Sequence, residues 1–421
     1  MMRRALMGTA RKVPMSLRLM STSERLPRHG LKLQPSQSRV SAFFPLDSDN
    51  TFATDYPLSE GNLSNIVLYD GSKIRSILST NEQKSTNEAY NELASEWTRV
   101  LDSGPGVFVI KDAFDDHEAL DDVSEAFEAI IRQEEEEGEA GDHFSASGNN
   151  SRIWNAQEKL CVRDPGLFVR YFNNRVFTAA CRSWLGPDFQ VTSQVNSSHP
   201  GSSAQDPHCD YHLGFRTNEQ VTEYPSHVHK MSQYLTLQGA IAHVDMPLET
   251  GPTTFLPYSQ NFERNYLTWR DPKFVEYYRQ RNCQLPLSKG DAVFFNPGLI
   301  HAAGDNISPN TDRLANLVQV SSAFGQPMEV LDRYRMSVAA YPHLLRLTNE
   351  LGRGDPSAVL PALECTALGN AFPTNLDRDT PQGSAPPPSM KDKVWEALMM
   401  QISEEEFKEW MKEHGWLRES H

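Results

Sequence analysis

Apolar and polar positions follow two rhythms along this chain, and the change from one to the other divides it. From Asn87 to Leu101, "NEAYNELASEWTRVL", the residues Tyr90, Leu93, Ala94, Trp97 and Leu101 recur at helical spacing, and "DSGPG" stops the helix they predict. "GVFVIKDAF" follows as a strand. "DDHEALDDVSEAFEAIIRQEEEE" then reads as a helix with acidic caps, its run Glu134 to Glu137 being a solvated helix end. From Phe189 the rhythm shortens. "FQVTSQVN", "HCDYHLGF", "MSQYLTLQGAIAHV", "GPTTFLP", "GDAVFFN" and "LANLVQVSSAF" are β-type segments parted by Pro, Gly and Asn. No helical pattern separates them, which points to an antiparallel barrel or sandwich. The expected fold is mainly β with flanking helices.

The same pattern sets the domain organisation. Residues 31–105 read as an N-terminal extension with one helix, and residues 106–345 as the β domain. Residues 346–390, which include "DRDTPQGSAPPPSMKDK", read as loop and linker. Residues 391–421 form an amphipathic helical tail, with a capping box at Ser403 and Glu406 and a stop at Gly415. Its apolar positions Val394, Trp395, Leu398, Ile402, Phe407, Trp410 and Met411 either pack back on the chain or join two copies as a homo-oligomer. Residues 1–30 differ from the rest. Arg3, Arg4, Arg11, Lys12 and Arg18 stand without an acidic residue before Glu24, the composition of a mitochondrial transit peptide. A disordered start on a cytoplasmic protein is the plainer alternative.

Composition narrows the function classes. The chain has 421 residues, is 38% hydrophobic and carries a formal charge of -15, so it can hold one large domain with extensions or two ordinary domains, and a nucleic-acid partner is not expected. No apolar run is long enough for a membrane span. The five cysteines are scattered without CxxC spacing, which excludes the usual zinc clusters and fits free thiols.

The candidate chemistry begins at "DPHCDYHLGF". Residues two apart on a strand share a face, so His208 and Asp210 project together and Cys209 points away. One imidazole and one carboxylate need a third ligand to complete the two-His-one-carboxylate set that suits non-haem Fe(II). "GDAVFFNPGLIHAAGDNISPNTDRLANLVQVS" supplies it as His301, followed by Asn306 and Ser308 in a polar loop and by Arg313 at the start of another strand. A guanidinium there grips a carboxylate through two parallel hydrogen bonds. A metal that takes a two-point organic ligand, with an arginine for its far carboxylate, describes a 2-oxoglutarate site. Gln238 and Ser308 are further candidates to face that cosubstrate. Tyr211 and Phe215 are candidates for the pocket wall, and Arg152, Trp154 and Asn155 for a lid. A second His-x-Asp, His243 and Asp245, reads as a packed strand histidine.

Taken together, these motifs resemble the phytanoyl-CoA dioxygenase family of Fe(II)/2-oxoglutarate-dependent oxygenases. The resemblance runs from about Gly106 to Phe324, through "GVFVIKDAF", "HCD", "DMPLETGPTTFLPYSQ" and the closing His-to-Arg segment. It implies a double-stranded β-helix (jelly-roll, cupin-like) core with helical N-terminal support. It also implies iron ligands at His208, Asp210 and His301, and a 2-oxoglutarate arginine at Arg313. "PYSQ" stands where the family has Pro-Gly-Ser-His, and "NSSHPG" where many members place a lysine. Related halogenases carry Gly or Ala at the carboxylate position, so Asp210 favours hydroxylation of an unactivated carbon of a small molecule by O2, with release of succinate and CO2. Two rivals remain at this point: a non-catalytic or regulatory β-helix binding protein, and a cupin-type metalloenzyme that ignores 2-oxoglutarate.

Overall fold

Alternation along the longest strands builds a sheet with two unlike faces. In Arg313–Ser321 the side chains of Leu314, Asn316, Val318 and Val320 point one way, and Arg313, Ala315, Leu317 and Gln319 the other. The computed structural model describes residues 55–79, 83–138, 150–381 and 383–420, all within one unit, Phe44–His421. The expectation for residues 1–30 therefore lies outside the described residues.

The strands are β1 (Gly61–Leu63), β2 (Ile66–Asp70), β3 (Val107–Lys111), β4 (Asn150–Ile153), β5 (Gln190–Ser198), β6 (Thr236–Ala242), β7 (Thr254–Phe255), β8 (Cys283–Gln284), β9 (Ala292–Phe295), β10 (His301–Ala302) and β11 (Arg313–Ser321). Eight form one sheet in the order β1-β2-β3-β9-β6-β11-β5-β4, antiparallel except for β2 beside β3. β10, β7 and β8 form a small second sheet. Phe255 of the small sheet and Leu285 just after β8 pack with Val109, Ala240, Val293 and Phe295 of the large one, so the two sheets face each other.

Helices cover the other face of the large sheet. The helices of the described residues are α1 (Gly71–Ser79), α2 (Gln83–Asp102), α3 (His117–Glu137), α4 (Ala156–Arg163), α5 (Pro165–Phe172), α6 (Arg175–Leu185), α7 (Ser226–Tyr234), α8 (Pro272–Arg281), α9 (Arg333–Gly352), α10 (Leu360–Thr366), α11 (Met390–Met400) and α12 (Glu404–Arg418), besides shorter turns; α8 lies instead against β7, where Tyr278 bonds Thr254. Trp97 of α2 stacks on Phe108 of β3 with ring centroids 5.4 Å apart, and Phe177 of α6 meets Phe294 of β9. Asp116 caps α3 through the backbone N–H of Ala119, and Gly138 ends it in the left-handed conformation.

Several expectations are corrected. Helices hold more of the described residues than strands do, so the fold is a large sheet with extensive helical cover and not mainly β. The extension before residue 106 contributes β1, β2, α1 and α2, because Ile66, Val67, Tyr69 and Ile74 are buried and β2 joins the sheet. α7 and α8 interrupt the β region, and "MSQY" belongs to α7. Residues 346–390 are not a free linker: Val359, Ala362, Leu363 and Cys365 are fully buried. Gly415 does not stop α12, which runs on to Arg418, although Ser403 does cap it through the N–H of Glu406. Much of the apolar face of the tail is used within the chain. Phe407 stacks on Tyr341 at 3.9 Å, the Tyr341 hydroxyl donates to the carbonyls of Ala397 and Ile402, and Val394 and Leu398 are buried, while Trp395 and Trp410 are half-buried.

Candidate metal centre

His208 does not sit on a regular strand, contrary to the sequence reading; it makes an isolated bridge to β10. Its N–H donates to the carbonyl of His301 at 2.9 Å, and the His301 N–H donates back at 3.0 Å. Two histidines from distant parts of the chain are thus paired by their own backbones, with ring centroids 4.6 Å apart. Beyond Asp210 the chain curls at once. A Cβ on Gly214 would lie 1.9 Å from the carbonyl oxygen of Cys209, so only glycine allows this close return. Cys209 does point away, its thiol toward the carbonyl of Gly298.

Each imidazole is oriented by its Nδ1. That of His208 lies 2.8 Å from the carbonyl of Asp206, and that of His301 lies 2.9 Å from the carbonyl of Leu299. Carbonyls only accept, so both Nδ1 atoms carry hydrogen and both Nε2 atoms offer lone pairs. The two Nε2 atoms lie 3.8 Å from the Asp210 carboxylate, one on each oxygen. One ligand atom from each of the three residues falls within 4.8 Å of the others, the spacing of donors around a single ion. The second carboxylate oxygen, Oδ2, also takes the amide of Gln238 at 2.7 Å and that of Gln319 at 3.5 Å. Burial alone would raise the Asp210 carboxyl, but His208, His301 and the Gln238 amide outweigh it and hold it below its usual range. Burial, with His208 beside it, pushes His301 down to about 4, leaving a neutral ligand at physiological pH. Two neutral nitrogens and one carboxylate oxygen in a facial cluster fit a ferrous ion with open positions.

The centre opens on a cavity of about 640 Å3 between the two sheets, and Arg313 lines the same cavity. Arg313 is 6% exposed; burial, with Arg152 nearby, lowers it to about 10, so it stays charged. Its Nη1 donates to the carbonyl of Thr250 at 3.3 Å. That carbonyl is presented by a tight turn in which Gly251 adopts φ +70° against the backbone of Asp305 and Gly304.

Not every candidate reaches the cavity in the expected role. Gln238 lines it, but its amide nitrogen is engaged by Asp210. Ser308 is turned away. Its hydroxyl donates toward Asn306 Oδ1 at 2.6 Å, and its N–H donates to the carbonyl of Glu249, so it braces the loop that leads to Arg313. Phe215 and Arg152 line the cavity, whereas Tyr211 is not among its lining residues and its hydroxyl bonds the carbonyls of Gln326 and Pro327. His243 is buried between Ser124 and Tyr171, and burial drives it down to about 3. It is a packed neutral histidine. Gln319 went unnoticed in the sequence, although counting in twos from Arg313 along "RLANLVQ" leads to it.

A two-histidine, one-carboxylate cluster beside a buried arginine defines the class: a non-haem metal enzyme. The family model for phytanoyl-CoA dioxygenase (PhyH) matches residues 104–315, and the chain belongs to that family. Its cofactor is Fe(II) and its cosubstrate 2-oxoglutarate. Among solved structures the chain is similar to SnoN, an α-ketoglutarate-dependent epimerase from nogalamycin biosynthesis. That match has 20% identity, covers 56% of this chain and 82% of SnoN, and has a TM-score of 0.38. SnoK, a carbocyclase of the same biosynthesis, gives 20% identity, 56% and 86% coverage and a TM-score of 0.40. HygX from Streptomyces hygroscopicus, solved with nickel, 2-oxoglutarate and hygromycin B, gives 16%, 56% and 90%, and 0.38. No curated protein matches the chain in sequence.

Proposed function

We propose that the protein is a hydroxylase of this class, inserting oxygen from O2 at an unactivated carbon of a small molecule with release of succinate and CO2. The observation that carries the reading is the placement of His208, Asp210, His301 and Arg313 on one cavity. His208 and His301 hold the metal through Nε2, and Asp210 through the oxygen that Gln238 leaves free. Arg313 pairs with the distal carboxylate of 2-oxoglutarate and so fixes which end reaches the metal. Bound iron and 2-oxoglutarate supply the oxidant that takes hydrogen from carbon. The apolar wall of Phe295, Val293 and Leu317 keeps bulk water from that step. A carboxylate at position 210 fills the coordination place that a halide would need, which favours hydroxylation. The facing sheets are read as the two halves of a double-stranded β-helix.

The test is anaerobic addition of Fe(II) and 2-oxoglutarate, followed by the weak visible band of the chelate and then by succinate release in air with candidate substrates. Arg313→Ala is expected to weaken 2-oxoglutarate binding by about 2 kcal/mol or more, since a charge-assisted bidentate pair is lost. Unchanged affinity in that variant would reject the cosubstrate assignment. The mitochondrial address rests on residues 1–30 alone; a reporter carrying those residues that stays in the cytosol would remove it.

A further inference from the structure

The cavity wall holds a cation that the metal centre does not use. Arg270, two residues before α8, lines the cavity and is partly exposed. Its Nη2 donates to the carbonyl of Gly214 at 2.9 Å and its Nη1 to Oδ1 of Asn218 at 3.3 Å. Its Cζ lies 3.7 Å from the centroid of the Trp269 ring. Gly214 belongs to the curl that follows Asp210, so the cation is moored to the segment carrying a metal ligand. A guanidinium has more N–H groups than these two bonds consume. Among the described residues no carboxylate forms an ion pair with it. Glu219 acts on it only from a distance and is exposed, and Asp206, on the same cavity, sits 3.9 Å from Arg279. The loaded centre supplies no negative charge either. Asp210 and 2-oxoglutarate together balance Fe(II) and Arg313, and Arg152 adds a further positive charge to the same cavity.

We propose that the substrate is an organic anion whose carboxylate or phosphate docks on Arg270, with an apolar body lying along Phe215 and Trp269. This deepens the oxygenase reading and rests on it for the position of the reacting carbon. A planar fork already held by a carbonyl, an amide oxygen and an indole face loses little freedom on binding. It matches an oxyanion through paired, charge-assisted hydrogen bonds. A neutral end group gains only ordinary hydrogen bonds there, and an ammonium meets like charge. Phe215, 49% exposed and next to Gly214 in the chain, and Trp269 give the body an aromatic wall. Arg270 is then specificity-determining: it selects the charged end and so sets which carbon lies at the metal.

The test uses the full chain saturated with Zn(II) and 2-oxoglutarate, probed by saturation-transfer NMR with hexanoate, hexyl phosphate, hexanamide and hexylamine. At least one anion is expected to bind saturably and about tenfold more tightly than the amide or the amine. Arg270→Gln should remove that preference and leave zinc and 2-oxoglutarate affinity unchanged. Binding of hexanoate alone assigns a carboxylate, and of hexyl phosphate alone a phosphate. A purely structural role for Arg270 would weaken anion and amide alike in the variant, and that result overturns the proposal. So does an amide or amine that binds as tightly as the anions, binding by none of the four, or an anion that displaces 2-oxoglutarate and so occupies Arg313. Where Arg270→Gln fails to fold, Arg270→Lys decides, since it keeps the charge but loses the fork. Anion binding must then weaken about threefold or more with the amide unmoved. The Fe(II)–2-oxoglutarate band is recorded on the same preparation. Its absence rejects the oxygenase reading and this proposal with it, whereas its presence without a preference for anions rejects this proposal alone.

Discussion

Individual side chains here act through the atoms their neighbours leave them. Gln238 fixes one oxygen of Asp210 and so decides which oxygen faces the ion. Gln238→Leu is expected to lower metal affinity about 10- to 100-fold, the usual cost of losing a hydrogen bond behind a ligand, as measured by competition with a chromophoric chelator. His243 shows the opposite use of burial. Ser124 already donates to the carbonyl of Leu120, so it accepts from Nδ1, while Nε2 accepts from the hydroxyl of Tyr171. The ring is satisfied only when neutral. Its value of about 3 lies below the ordinary 6.5, so on acidification the unfolded chain takes up this proton first. The stability this neutral ring contributes is whole above pH 6.5 and drains as pH falls toward 3, by at most about 1.4 kcal/mol per pH unit. Urea midpoints for His243→Asn should be lower than wild type at pH 7 and fall less between pH 6.5 and pH 4.

Elements position the site by holding loops against each other. The turn at Gly251 and the loop at Asp305 to Ser308 touch backbone to backbone, with the N–H groups of Ile307 and Ser308 on the carbonyl of Glu249. An alanine Cβ at position 251 would lie 2.4 Å from the carbonyl oxygen of Asp305, at a φ that L-residues avoid. Gly251→Ala is therefore expected to push the turn away and withdraw the Thr250 carbonyl from Arg313. The strain is on the order of 1–3 kcal/mol. Calorimetry should show weaker 2-oxoglutarate binding with zinc binding retained. Legibility follows the same division. β5 and β11 could be read because their alternation is local, β9 because its apolar run follows a Gly-Asp turn, and His208, Asp210, His301 and Arg313 because motif and order agree. "HCDYHLGF" reads as a strand but is not one, since its single bridge is made to His301 and no local pattern records that. Residues 346–390 read as linker by their Pro and Ser, while their burial comes from helices elsewhere in the chain.

At the scale of the whole unit Phe44–His421, the C-terminal helices complete the core. α9 lies between the sheet-covering helices and the tail; Met336, Ala340, Tyr341 and Leu344 join the main apolar core with Val394, Leu398, Phe407 and Met411. The tail thus belongs to the core, far from the candidate metal ligands in sequence yet part of the same compact unit. Phe407→Ala removes the ring stacked on Tyr341 and is expected to cost about 3–5 kcal/mol, read as a drop in the denaturation midpoint of the full chain. Zinc and 2-oxoglutarate should still bind the folded fraction with unchanged affinity.

The two unlike faces of β11 carry a consequence for how this protein can change. One extra residue inside Arg313–Ser321 would rotate every later side chain by half a turn, sending Gln319 into the grease of the helices and Leu or Val toward the iron. New substrate preferences can therefore arise by exchanging alternate residues in place or by lengthening the connections between strands, while the strand itself tolerates no change of count.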